Sequence, residues 1–224
     1  LCPLYPQDDV LVFGESDNEH NERLEKVLNA MMQRGLRLRK DKCTFAVREV
    51  EYLGPLISEK GIAPRPGLLL AISQVPIPSD KDKLKAFMGM CEYYSKFIRR
   101  FSTTAEPLLS LLKKNTKFDW GAEQDMAFKR IKQDLENAPL LNSYAPGMST
   151  IVTVDASNVG LGAVLSQKQN GQVKTIAFAS RTLRPQERLY SVIEREMLAC
   201  AWSVNKFKAY IWGTEFVLRT DHKP

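Results

Sequence analysis

The sequence predicts an α+β / α/β multidomain chain. A strand–helix–hairpin segment comes first, then a helical middle, then a β-β-β-α-β end. Three observations carry this. Residues 1 to about 60 pass from a short β-prone run to a helical period and back to β-prone runs. Five prolines between Pro55 and Pro78 mark a boundary, after which apolar residues recur at three- and four-residue spacing. From about Ser149 alternating apolar runs return, broken by turn residues and by one long helical stretch.

Taken in order, the apolar run Val10 to Phe13 reads as a strand directly after the paired acids Asp8 and Asp9. As a bare dipeptide, that pair fits a polar turn or a metal-binding carboxylate pair. Leu24, Val27, Leu28, Met31 and Met32 then share a helix face, with Ser16 or Asp17 able to cap its start and Gly35 its end. The β-prone runs CTFAV and VEYLGPLIS are expected to pair as a hairpin. One short helix lies between the prolines. After Ser79 and Asp80, either able to cap, Leu84, Phe87, Met88, Cys91, Tyr94 and Ile98 form one apolar helical face. Helices around Ala105 to Lys113 and from about Gly121 to Asn137 complete the middle. Residues 79–114 hold eight basic side chains, Lys81, Lys83, Lys85, Lys96, Arg99, Arg100, Lys113 and Lys114, against four acidic ones. Such a run is either a solvated face around a three-helix core or a row of phosphate contacts along a duplex.

In the end segment STIVTVDAS, VGLGAVLSQ and VKTIAFASRTL read as three strands, the last two joined by the turn QNGQ. A helix is expected from about Pro185 to Tyr210, its face made by Leu189, Val192, Ile193, Glu196, Ala199, Cys200 and Phe207. EFVLRTD is the fourth strand. Asp155 and Asp221 fall at the ends of the first and fourth strands, which a helical crossover can bring side by side in parallel. Glu196 lies inside an otherwise apolar stripe, where a carboxylate is costly without a partner. An ion pair with Lys206 or Arg219 would answer that cost. So would a cation shared by all three acids, and a cluster of hard oxygen ligands selects Mg²⁺ or Mn²⁺, the ions of two-metal phosphodiester cleavage.

Composition narrows the classes. With 44% hydrophobic residues, the 224-residue chain can fill a packed core. Its net charge of +6 admits a polyanionic partner without demanding one. Cys2, Cys43, Cys91 and Cys200 form no CxxC pair and have no ligand spacing to His20 or His222, which argues against a zinc site or disulfide framework and fits a reducing interior. No apolar run approaches the ~18 residues of a membrane span, and no signal peptide is visible. Both ends look cut, and the chain is expected to be a piece of a longer one.

Beyond composition, long ordered motifs carry a resemblance. TVDASNVGLGAVLSQ, YSVIEREMLA and TDHKP resemble the ribonuclease H domain of gypsy-class long-terminal-repeat retrotransposon Pol polyproteins. QDDVLVFGES and CTFAVREVEYLGPLISEKGI are similar to the end of the reverse transcriptase palm in that family. FMGMCEYYSKFIRRFSTTAEPLLSLLKK, followed by FDWGAEQDMAF, resembles its thumb and connection. The resemblance implies a partial palm with a primer-grip-like hairpin over 1–62, a helical thumb and connection over 63–145, and a truncated ribonuclease H-like domain over 146–224.

It further implies catalytic, Mg²⁺- or Mn²⁺-binding roles for Asp155, Glu196 and Asp221 in the nuclease, and for Asp8 and Asp9 in an incomplete polymerase site. Leu53 and Gly54 would contact the primer, and Lys85, Lys96, Arg99 and Arg100 the nucleic-acid backbone. The sequence departs from the family at Pro6, where a tyrosine is usual, and at Pro55, where a histidine is usual. The implied activities are RNA-directed DNA synthesis and cleavage of RNA in RNA–DNA hybrids. The implied partners are a template–primer duplex or hybrid and the remainder of the polyprotein, with no membrane. The expected location is intracellular, in a cytoplasmic virus-like particle or the nucleus, and the oligomeric state stays open. Each site lacks one of the family's acids, so the chain alone is expected to lack polymerase activity and to cleave weakly or not at all. Two readings of other classes stand beside this one: a non-catalytic or domesticated nucleic-acid-binding remnant, and a protein-interaction scaffold.

Overall fold

The computed structural model describes residues 9–220, and the chain divides into two compact units, Leu1–Glu59 and Lys60–Pro224.

In the first unit, Ser16 caps α1 (Asp17–Gln33), its hydroxyl accepting from the Glu19 amide at 3.3 Å. Gly35, at φ 70°, closes the helix: its amide bonds to Met32 O and that of Leu36 to Met31 O, the paired bonds of a left-handed helix stop. The predicted apolar stripe is present but shallow. No residue of α1 is buried, and Leu28 and Met32 are exposed. The hairpin forms within VEYLGPLIS rather than between CTFAV and that run. Strand β1 (Glu49–Glu51) pairs antiparallel with β2 (Leu56–Ser58), Val50 opposite Ile57. Leu53 at φ 50° and Gly54 at φ 96° make the two-residue turn, closed by the Tyr52 amide on Pro55 O at 3.0 Å. Two successive positive φ angles match the twist of a tight hairpin, and the glycine makes the second of them cheap. Residues 43–47 carry no strand, because this turn already supplies β2 with its neighbour. Val10 to Phe13 is likewise not a strand. The described strands of this unit pair with each other, and an extended run without a ladder partner stays irregular. Arg23 satisfies it instead, donating to Phe13 O at 2.9 Å with its guanidinium over the Phe13 ring.

The second unit opens with β3 (Gly61–Ala63), in which Ile62 exchanges both backbone hydrogen bonds with Leu141. Four helices follow: α2 (Pro66–Gln74), α3 (Lys81–Tyr93), α4 (Phe101–Leu111) and α5 (Ala122–Glu136). Asp80 caps α3 by accepting from the Lys83 amide at 2.9 Å. All six residues of the predicted α3 face are buried, and they pack with Ala105 and Leu108 of α4 and Phe128, Ile131 and Leu135 of α5. Each such large side chain contributes about 1.5–3 kcal/mol by leaving water. The α-helix itself stops at Tyr93. A 3₁₀ turn over Ser95–Phe97 keeps Tyr94 and Ile98 turned inward.

The four-stranded sheet runs, in spatial order, β6 (Gln172–Thr182), β5 (Gly160–Gln169), β4 (Thr150–Ala156) and β7 (Phe216–Arg219). Strands β4, β5 and β6 form an antiparallel meander, the Asn170-Gly171 turn having both φ angles positive. After α6 (Val192–Lys206) and the short α7 (Lys208–Ile211), β7 returns parallel to β4, as the order β-β-β-α-β requires. Val152, Val154, Leu161, Ala163 and Leu165 build the second core with Ala199 and Phe207. Gln167, on β5, is fully buried yet satisfied at both ends: Oε1 accepts from the Ala145 amide, and Nε2 donates to Ala145 O and Thr150 Oγ1.

The expected helix over 185–210 is broken. Glu187, in a 3₁₀ turn, accepts two bonds from Arg181 and one from the Arg184 amide. That pinned turn makes the chain enter α6 only at Ser191, which caps it in reciprocal partnership with Glu194. The buried side is therefore Glu196, Ala199 and Ser203, whereas Leu189, Val192 and Ile193 are exposed, contrary to the stripe read from periodicity. Among the described residues no helix is long and apolar enough to cross a membrane.

Candidate carboxylate site

Three elements of the second unit build the site. Strand β4 presents alternate side chains to opposite faces of the sheet. Val152 and Val154 enter the core under α6, so Asp155 is out of phase with them and shares the other face with Thr153. There it lines a recess with Arg99, Arg100, Gly162 and Val164.

Glu196 approaches from α6. It is 7% exposed, and its carboxylate reaches the end of the sheet rather than a cation. Oε1 accepts from the Ala156 amide at 3.1 Å, and Oε2 accepts from Thr220 Oγ1 at 3.2 Å. Thus Glu196 touches the residue after Asp155 on β4 and the residue before Asp221 beyond β7. Among the described residues, neither Lys206 nor Arg219 forms an ion pair with it. Its negative charge adds to burial, the larger cause, in pushing the Cys200 thiol above its ordinary value. Asp221 and Asp8 lie outside the described residues. The described residues hold no group of three or more acids, histidines or cysteines able to grip a metal.

Asp155 does have a counter-charge, which the sequence did not reveal. Arg100, at the start of α4, contacts its Oδ2 through both Nε and Nη2. Nothing in local periodicity links two residues 55 positions apart. The signal that could have pointed to the pair is the glycine pattern VGLG, since small residues admit a close neighbour. A Cβ on Gly160 would lie 3.0 Å from Ser102 Oγ and from Arg181 O, and one on Gly162 would lie 3.4 Å from Arg100 Cγ.

The remaining predicted residues are dispersed. Lys96 is half-buried, its ammonium 5.9 Å from the Tyr93 ring centre and 5.5 Å from that of Phe97, and burial lowers its pKa. Lys85 and Arg99 are exposed. In the first unit Asp9 is exposed, and its carbonyl accepts from the Tyr52 hydroxyl at 3.3 Å, which sets it beside the hairpin whose tip is Leu53 and Gly54.

Comparison with known proteins places these features. Residues 120–218 match the RNase H-like domain found in reverse transcriptase, and residues 7–57 match reverse transcriptase (RNA-dependent DNA polymerase). The retrovirus-related Pol polyprotein from transposon 297 of Drosophila melanogaster is 38% identical over 224 residues, all of this chain and 21% of that protein. The corresponding polyprotein from transposon gypsy is 32% identical over 237 residues, covering 100% of this chain and 22% of the relative. The chain thus spans about a fifth of the length of the curated relatives it matches. Among solved structures, a foamy viral protease-reverse transcriptase in complex with RNA/DNA hybrid aligns with a TM-score of 0.81 at 21% identity, over 95% of this chain and 29% of that one. The same enzyme in complex with dsDNA gives 0.79 at 22% identity, over 95% and 44%. These two likenesses are of fold.

Proposed function

We propose that this chain, which is similar over its whole length to gypsy-class retrotransposon Pol polyproteins, holds the core of a metal-dependent ribonuclease H centre acting on RNA in RNA–DNA hybrids. Its first unit is, in the same reading, the end of an RNA-directed DNA polymerase palm. The division into palm over 1–62, thumb and connection over 63–145, and ribonuclease H over 146–224 belongs to this proposal. The observation that carries it is the position of Glu196, buried, without a cation among the described residues, and bonded to both strand ends next to Asp155 and Asp221.

The donor chemistry fits a hard divalent ion. Asp155 already attracts a cation, and Glu196 offers a carboxylate whose described partners are only an amide and a hydroxyl. Asp155, Glu196 and Asp221 would hold Mg²⁺ or Mn²⁺, which when bound activates water and stabilises the leaving oxygen of a phosphodiester. The chain's own residues do the rest. The Ala156 amide and the Thr220 hydroxyl fix the orientation of Glu196, and α6 keeps that carboxylate from rotating into bulk water. Arg99, Lys85 and Lys96 supply positive charge for the backbone of a bound duplex. Asp8 and Asp9, of which Asp9 lies beside the hairpin of Leu53 and Gly54, are the polymerase counterpart in this reading.

A second reading, nucleic-acid binding without chemistry, draws on one observation: the Asp155 carboxylate is neutralised by Arg100. A labelled RNA–DNA hybrid offered in Mg²⁺ or Mn²⁺ separates the two. Slow cleavage that disappears in Asp155→Asn is expected. Binding without cleavage favours the second reading. An affinity indifferent to salt would count against both, because phosphate contacts release counterions.

A further inference from the structure

Arg100 occupies its place against two local preferences. Its backbone is left-handed, φ 56° and ψ 32°, a conformation natural to glycine or asparagine and unfavourable for arginine. It also stands at the N-terminus of α4, its carbonyl accepting from the Thr103 and Thr104 amides, where the helix dipole disfavours a cation. Both are imposed by a seat between α4 and the sheet. The Ser102 amide donates to Ser180 Oγ at 3.0 Å, Thr103 Oγ1 meets Ser157 Oγ at 3.5 Å, and a Cβ on Gly160 would crowd the Ser102 and Thr103 hydroxyls. With the helix start fixed there, the Arg100 side chain runs along Gly162 to the Asp155 carboxylate.

We propose that Arg100 is the resident counter-ion of Asp155 and that a divalent cation must displace it, so that the seat of α4 sets how readily the site loads. This rests on the reading of Asp155 as a metal ligand. Guanidinium and dication would both draw on the Asp155 carboxylate, and holding both would press like charges together a few ångströms apart. Glu196 meets no such competitor among the described residues, since its partners donate from a neutral amide and a neutral hydroxyl. Metal binding is therefore weaker than the carboxylates alone would give, and loading frees Arg100 from the strand.

Mn²⁺ titration of the 224-residue chain, followed by loss of the free-ion electron paramagnetic resonance signal, tests this on wild type, Arg100→Asn and Asp155→Asn. Asparagine tolerates the left-handed backbone, and a circular dichroism melt in chelator confirms that the variant folds. Arg100→Asn is expected to bind Mn²⁺ roughly tenfold more tightly, and adding Asp155→Asn is expected to erase the increase. Should asparagine disturb the start of α4, Arg100→Lys serves in its place. It keeps the charge without the two-pronged grip and is expected to give an intermediate affinity, and an affinity no higher than wild type overturns the proposal. Equal affinities for wild type and Arg100→Asn, both weakened by Asp155→Asn, overturn the counter-ion role and leave the metal reading standing. Absence of Mn²⁺ binding in all three overturns both.

Discussion

The two units use similar sequence signals and reach different depths of packing. In the first, α1 is capped at both ends and amphipathic by sequence, yet none of its residues is buried, and Phe13, Leu28, Met32, Leu36 and Phe45 are exposed. In the second, α3 is capped in the same way at its start, and its whole apolar face disappears into a cluster shared with α4 and α5. Capping and periodicity make a helix and choose its face. Only a second element laid against that face turns it into stability. Asp155 and Glu196 therefore stand on well-packed scaffolding, while the Asp9 hairpin region is held mainly by its turn and a few side-chain bonds.

The sharpest way to break this contrast is to cut into the second unit. Phe87 is wholly buried, with its ring centre 4.6 Å from that of Phe128. Phe87→Ala is expected to cost about 3–5 kcal/mol, read as a fall in the denaturant midpoint. A loss no larger than that of a surface change would mean the cluster is looser than its burial implies. A smaller effect is expected at the Arg181–Glu187 pair, where Glu187→Gln should cost about 1–3 kcal/mol near neutrality. The Arg181 hydrogen bonds, aided by the Arg184 amide and outweighing burial, hold the Glu187 carboxyl below its ordinary value of 4.5. A depressed acid stabilises the fold above its unfolded pKa and loses that contribution as pH falls through the folded one. The gap between wild type and Glu187→Gln should hold at neutral pH and narrow below about pH 4.5, and a gap constant into acid would contradict the assignment. The smallest effect belongs to the first unit. Met32 is 71% exposed, so Met32→Ala should shift stability by less than about 0.5 kcal/mol, and a larger loss would show that α1 has a partner surface.

Much of the architecture was legible because its signals are local. Ser16 and Asp80 announce two helix starts, Gly35 and Asn170-Gly171 announce a stop and a turn, and the order of runs gives the crossover that lays β7 beside β4. The errors have one physical origin. Val10 to Phe13, CTFAV and the Leu189–Val192–Ile193 stripe are apolar runs whose pattern shows which residues share a face and not whether anything covers it. At the site, the sequence singled out Asp155 and Glu196 by type and position. It could not foresee that Ala156 and Thr220 orient one of them, or that Arg100 neutralises the other, since those contacts depend on where separate elements meet.

Gln167 has a mechanical consequence. Fully buried and bonded to both the amide and the carbonyl of Ala145, it ties the approach to β4 onto the central strand β5. The stretch joining the helices to the strands is thus a fixed strut and not a hinge. Anything gripped along α3 and α4 would be delivered to Asp155 at a distance ruled by the fold, as an object clamped in a jig meets the blade at one mark.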